Sequence, residues 1–101
     1  MKRSEENDKN VTKDLLRIYQ SSHQMMKSKN YHSAISNIEN IVKTKESSIE
    51  NPLKLNIFLL LGLSYYQLSK FSESKEYLIK SNEIVREYMN EYNTERGGFL
   101  K

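Results

Sequence analysis

The chain has 101 residues, 37% hydrophobic and 29% charged, with a formal net charge of +3. That length supports one domain with one modest core, and the low apolar share predicts that the ordered part is smaller than the whole chain. The absence of cysteine excludes disulfide frameworks, thiol catalysis and Cys-ligated zinc, and mixed charge signs without a long basic run exclude a strong electrostatic footprint for nucleic acid.

Residues 1–10 (MKRSEENDKN) are polar and without period, which predicts a disordered tail. No apolar core follows their charges, so they do not read as a signal peptide. Helical periodicity starts at Val11. Leu15, Ile18, Ser22 and Met25 fall on one face, and Leu16, Tyr19, His23 and Met26 on the next. Lys27-Ser28-Lys29-Asn30 breaks the pattern, with Asn30 placed as an N-cap. Tyr31, Ala34, Ile35, Ile38, Ile41 and Val42 then recur at spacings of three and four, and this second helix fades through the polar linker Thr44-Lys45-Glu46-Ser47-Ser48.

Asn51-Pro52 is a start signal, a capping residue followed by Pro where its missing N–H costs nothing. The third helix is predicted to end near Ser69. Its apolar stretch, Leu53 to Leu68, is shorter than the roughly 20 residues of a membrane span. It also carries Lys54, Asn56, Ser64 and Gln67, so it reads as a buried helix with no membrane role. After Ser69-Lys70 a fourth helix is expected to reach Glu95. Its stripe is Tyr77, Leu78, Ser81, Ile84, Val85, Tyr88 and Tyr92, with Glu76 and Lys80 as an exposed i,i+4 pair. Gly97-Gly98 ends it, leaving 96–101 as a tail. No segment sustains a period of two. The fold class expected is all-α, two antiparallel helix hairpins over residues 11–95 with an extended C-terminal helix.

Residues for chemistry are sparse. His23 and His32 lie in different elements, without Cys or an acidic cluster at ligand spacing, and no glycine-rich phosphate loop precedes a helix. The acidic residues are scattered over predicted solvent faces. No catalytic, metal or cofactor site is expected, and the chain reads as non-enzymatic. A single Arg96-Gly97-Gly98 and the sequon Asn10-Val11-Thr12 carry no weight alone.

The chain is self-similar. "SKNYHSAISNIENI" (28–41) and "LSKFSESKEYLIKS" (68–81) each have a short polar turn, then an aromatic (Tyr31, Phe71), a small residue (Ala34, Ser74) and an aliphatic (Ile38, Leu78), offset by 40 residues. Upstream of the second copy stands Leu61-Gly62-Leu63-Ser64-Tyr65, with Phe58 one turn earlier. This pattern resembles the tetratricopeptide repeat (TPR), a helix–turn–helix unit with Leu-Gly-x-x-Tyr in its first helix and an aromatic opening its second. Residues 55–88 resemble one complete repeat, with Ser74 and Ser81 where Ala is usual. Residues 15–48 resemble a weaker one, with Ser21-Ser22 in place of Leu-Gly and Met25 in place of Tyr. Glu46 and Arg86 stand where a closing Pro is usual, and the period exceeds the usual 34, as in the longer repeats of the peptide-sensing Rap and Rgg-type regulators. The resemblance gives Gly62 a role: its missing side chain lets the second helix approach, with Ser74 opposite.

The resemblance also implies a concave partner-binding surface lined by the first helices: Leu16, Tyr19, His23 and Met26, with Asn56, Leu59, Leu63 and Tyr66. These positions are largely apolar. They disfavour the Lys/Asn/Arg clamp that grips a C-terminal carboxylate and favour an amphipathic helix or hydrophobic peptide. The expectation is a cytoplasmic adaptor or regulator that binds another protein or peptide. Its alternatives are a peptide-responsive sensor of Rap or Rgg type without an effector domain, and a weakly basic nucleic-acid-associated protein. Phe58, Leu61, Tyr65 and Leu68 form a face for the fourth helix. Leu59, Leu63 and Tyr66 form a second face, covered either by the first hairpin or by another chain. Two repeats fall short of the three that usually stack stably, so a homodimer is one way to supply the missing cover.

Overall fold

Four helices carry the chain in the computed structural model: α1 (Lys2–Lys27), α2 (Tyr31–Lys45), α3 (Asn51–Gln67) and α4 (Phe71–Glu95), with a 3-10 turn at Glu46–Ser48 before α3. The structure describes the backbone of residues 2–95 and the side chains of residues 13–92, and among these there is no strand. The fold is all-α. The expected tail at 96–101 and the Gly97-Gly98 stop lie outside the described residues. At the other end, the helical backbone of α1 begins at Lys2 and runs through the segment expected to be a tail. That segment has no Gly or Pro and is rich in Lys and Glu, which a helix accommodates at little cost.

Each helix packs most closely on its neighbour in sequence, α1 on α2 and α3 on α4, and α3 also lies against both α1 and α2. The two tight turns share one geometry. Lys29 (φ 64°) and Ser69 (φ 61°) both adopt the left-handed region. The Lys29 N–H donates to Met26 O (2.9 Å) and the Asn30 N–H to Met25 O (2.8 Å); the Ser69 N–H donates to Tyr66 O (2.9 Å) and the Lys70 N–H to Tyr65 O (2.9 Å). These are paired Schellman closures, which satisfy carbonyls a helix end leaves orphaned. The next helix starts at once in both, with Ala34 N–H on Asn30 O and Ser74 N–H on Lys70 O. Asn30 stands at the cap position through its carbonyl, without a side-chain cap bond. Glu50, not Asn51, caps α3, with Pro52 in the first turn as expected.

The core is one cluster: Leu15 from α1; Ala34, Ile35, Ile38 and Val42 from α2; Ile57, Phe58, Leu60, Leu61 and Tyr65 from α3; Tyr77 and Ile84 from α4. Ile49 joins it from the linker, which therefore has an apolar anchor that its polar flanks hid from the sequence reading. Ser22 is also fully buried; the Asn37 side-chain amide donates to its Oγ at 3.0 Å, which supplies the partner a buried hydroxyl requires.

Gly62 lies at the close crossing of α3 and α4. A Cβ there would stand 2.7 Å from Leu78 Cδ2 and 2.9 Å from its Cγ, inside contact distance, and 3.5 Å from the Ser74 carbonyl oxygen. The close approach is as expected, but the side chain that needs the space is Leu78. Ser74 instead donates from Oγ to the Gly62 carbonyl at 2.7 Å, tying the helices together at the crossing.

Candidate functional site

Three of α3's sides are apolar, and they have different fates. Phe58, Leu61 and Tyr65 are buried toward α4, where Phe58 and Tyr65 both lie against the Tyr77 ring. Ile57, Leu60 and Ser64 are buried on the side that meets the first hairpin. Leu59, Leu63 and Tyr66 remain 38%, 48% and 56% exposed. The first hairpin therefore does not cover this third side: helical geometry sets it roughly a quarter-turn or more from the side that carries Leu60.

Of the eight residues singled out in the sequence, six meet. Tyr19, His23 and Met26 of α1 and Asn56, Leu59 and Leu63 of α3 line one groove of about 130 Å³, floored by Leu60. The first three are half-buried and the last three exposed, so α1 forms the sheltered wall and α3 the open rim. Tyr19 and His23 lie side by side within it, their rings tilted by 35° with centroids 5.9 Å apart, and burial pushes the Tyr19 hydroxyl pKa above its ordinary value. The other two do not belong to this groove. Leu16 is exposed and does not line it. Tyr66 turns away to pack edge-to-face on Phe71 (5.5 Å) and lines a second, larger furrow between α3 and α4.

Sequence reading missed a polar bridge between the hairpins. Glu39 of α2 accepts hydrogen bonds on one carboxylate oxygen, Oε2, from the hydroxyls of Tyr65 of α3 and Tyr77 of α4, the latter at 2.9 Å. The two tyrosine rings stack nearly parallel, 5.9 Å apart. Burial first, and then the bond to Glu39, push both tyrosine pKa values well above the ordinary range. Beside them Lys80 pairs with Glu46 of the linker at 3.2 Å, not with Glu76, and its ammonium lies over the rings of Phe58 (5.5 Å) and Tyr77 (5.8 Å). The signal available in sequence was indirect. Tyrosines at core positions need acceptors, and Glu39 directly follows core residue Ile38.

Among the described residues no three His, Cys, Asp or Glu side chains gather where a metal could sit, and no helix is long and apolar enough to cross a membrane. Comparison of the chain with family models, with curated proteins and with solved structures finds no match in any of the three.

Proposed function

We propose that this chain is a TPR-like, non-enzymatic binding module of the cytoplasm that holds an amphipathic helix or hydrophobic peptide of another protein. The observation that carries this reading is the convergence of Tyr19, His23 and Met26 with Asn56, Leu59 and Leu63 in one apolar groove on the first helices of two like hairpins. Paired closures 40 residues apart, at Lys29 and Ser69, support the repeat reading. The groove offers rings and aliphatic side chains for apolar anchors, with His23 and Asn56 to orient a backbone or polar side chain. It presents no Lys or Arg for a terminal carboxylate. A helix with Leu at i, i+3, i+4 and i+7 matches it in chemistry.

The test uses a labelled amphipathic peptide of that pattern, titrated by fluorescence anisotropy. Saturable binding is expected, weakened at least tenfold by Leu63→Glu and by Leu59→Glu, with far-UV helicity unchanged. Affinity unchanged from wild type in both variants, or no binding by the wild type, would overturn the reading. Loss of helicity in both would make this face part of the core and remove the groove as a site.

A further inference from the structure

The two ends of the helix stack are built differently. At the first end, the α1 positions that correspond in register to Ile57, Leu60 and Ser64 of α3 are Arg17, Gln20 and Gln24, all exposed and polar. In α3 these positions are buried against the preceding hairpin. Polar residues there close the stack, as terminal units of repeat arrays do. At the other end the corresponding surface is open and largely apolar. A furrow of about 460 Å³ between α3 and α4 is lined by Tyr66, Phe71, Leu78 and Ile79, with Lys75 and Asn82 along its edge. In the first hairpin the matching α2 positions are Tyr31, which is half-buried, and Ile35, Ile38, Glu39 and Val42. There Ile35, Ile38 and Val42 are buried and Glu39 is bonded, because α3 packs against α2 and Tyr77 of α4 reaches Glu39. No described element does this for α4.

We propose that a second copy of this chain covers this open end, the two related by a two-fold axis passing beside Ile79 and Asn82. Head-to-tail stacking does not suit the surfaces, since it would seat the apolar furrow of one copy on the polar α1 face of the next. A two-fold arrangement places furrow on furrow and leaves both polar ends outward, closing the assembly at two. The available area agrees. Tyr66, Phe71, Leu78, Ile79, Val85 and Met89 are each a third to nearly three-fifths exposed. Taking about 150–250 Å² for each ring and somewhat less for each aliphatic side chain, they offer on the order of 400 Å² of apolar surface per copy. With its polar edge this approaches the roughly 800 Å² per partner of a standard specific interface. Lys75 and Asn82 interrupt the patch where α2 has Ile35 and Val42, which suits a surface that also meets water. The dimer is therefore reversible and concentration-dependent.

Sedimentation equilibrium of the intact chain over a wide concentration range tests this. The mass should rise from 12.0 kDa toward twice that value with concentration. Ile79→Glu and Phe71→Glu, both at exposed positions, should weaken dimerisation at least tenfold with helicity unchanged, while Leu59→Glu, in the other groove, should leave it intact. The chain has no cysteine, so Asn82→Cys supplies a single thiol that should oxidise to a covalent dimer faster than Glu87→Cys on the far flank of α4. A wild-type monomer at millimolar concentration overturns the proposal. So does a dimer that survives both charged substitutions. A monomer whose Ile79→Glu variant alone loses affinity for the amphipathic peptide would assign the furrow to a partner's helix instead.

Discussion

The two hairpins repeat one construction and differ in what lies over it. Ile38 of α2 and Leu78 of α4 hold the same register position, yet Ile38 is fully buried and Leu78 is 36% exposed. The local sequence makes the helix and the turn in both cases; the next hairpin makes the core. Burial in a stacked fold is thus a property of the neighbour as much as of the residue. The sharpest way to expose this is a matched pair of truncations. Ile38→Ala should cost about 3–4 kcal/mol, because it removes buried methyl groups and leaves a cavity between α2 and α3. Leu78→Ala should cost about 1 kcal/mol, since solvent already reaches it. Urea denaturation of both variants, compared at low protein concentration so that any dimer is dissociated, measures the ratio. Equal costs would mean that α4's outer face is as covered as α2's.

The Glu39 bridge couples the hairpins and gives the next largest effect. Glu39→Ala would leave two largely buried tyrosine hydroxyls without their acceptor, at a cost of about 2–3 kcal/mol. The same pair makes a pH prediction. Tyr65 and Tyr77 have folded-state pKa values raised above the ordinary 10.0, so the unfolded chain releases these protons first as pH rises. Their contribution is fully present below pH 10.0 and is lost as pH climbs from there toward the raised folded values. Urea midpoints between pH 8 and pH 11.5 should fall more steeply above pH 10 in the wild type than in Tyr65→Phe/Tyr77→Phe. Parallel curves would show that neither hydroxyl is linked to folding.

Much of this fold was legible because its signals are local. Asn51-Pro52, the polar break at Lys27-Ser28-Lys29-Asn30 and the aromatic at the head of each second helix bracket the elements within a few residues of where they lie. Six of eight groove residues came together because positions four apart on a helix share a face. What stayed hidden depends on how hairpins stack. The stripe expected along α4 splits, with Tyr77, Ser81 and Ile84 buried and Val85, Tyr88 and Tyr92 exposed. α4 has 25 residues against 17 in α3 and outruns it by about 12 Å at 1.5 Å per residue. Phe71, read as the aromatic that opens the second helix of its repeat, is 58% exposed because nothing described is stacked beyond it. Glu39 and Ile49 were missed for the converse reason. Glu39's partners Tyr65 and Tyr77 lie 26 and 38 residues away, and Ile49 is a lone apolar residue between polar neighbours.

A smaller effect concerns α3 where it meets the first hairpin. Ser64 is fully buried, and its hydroxyl finds no partner, whereas the buried Ser22 of α1 is bonded by Asn37. An unsatisfied buried hydroxyl is costly, and Ala fills nearly the same space. Ser64→Ala should therefore raise stability by about 1 kcal/mol, while Ser22→Ala should lower it by about 0.5–1 kcal/mol, since it removes the 3.0 Å bond and leaves the Asn37 amide only its long one (3.4 Å) to Ile18 O. Thermal unfolding of both variants checks the opposite signs. The same direction in both would mean that Ser64 is satisfied in solution.

The smallest effect lies in the two turns, and it is where the hairpins should behave alike. Lys29 and Ser69 occupy left-handed backbone that carries a penalty for any residue with a Cβ. Glycine removes that penalty, and its extra freedom in the unfolded chain offsets part of the gain. Lys29→Gly and Ser69→Gly should each raise stability by about 0.5–1 kcal/mol. They close separate hairpins and share no hydrogen-bond partner, so the double variant should gain the sum. Additivity would mark the turns as independent copies of one device, with the difference between the hairpins confined to what stacks upon them. A gain in one turn alone would place the asymmetry in the turns themselves, and the shared hydrogen-bond pattern at Met25 and Tyr65 would then fail to describe equal closures.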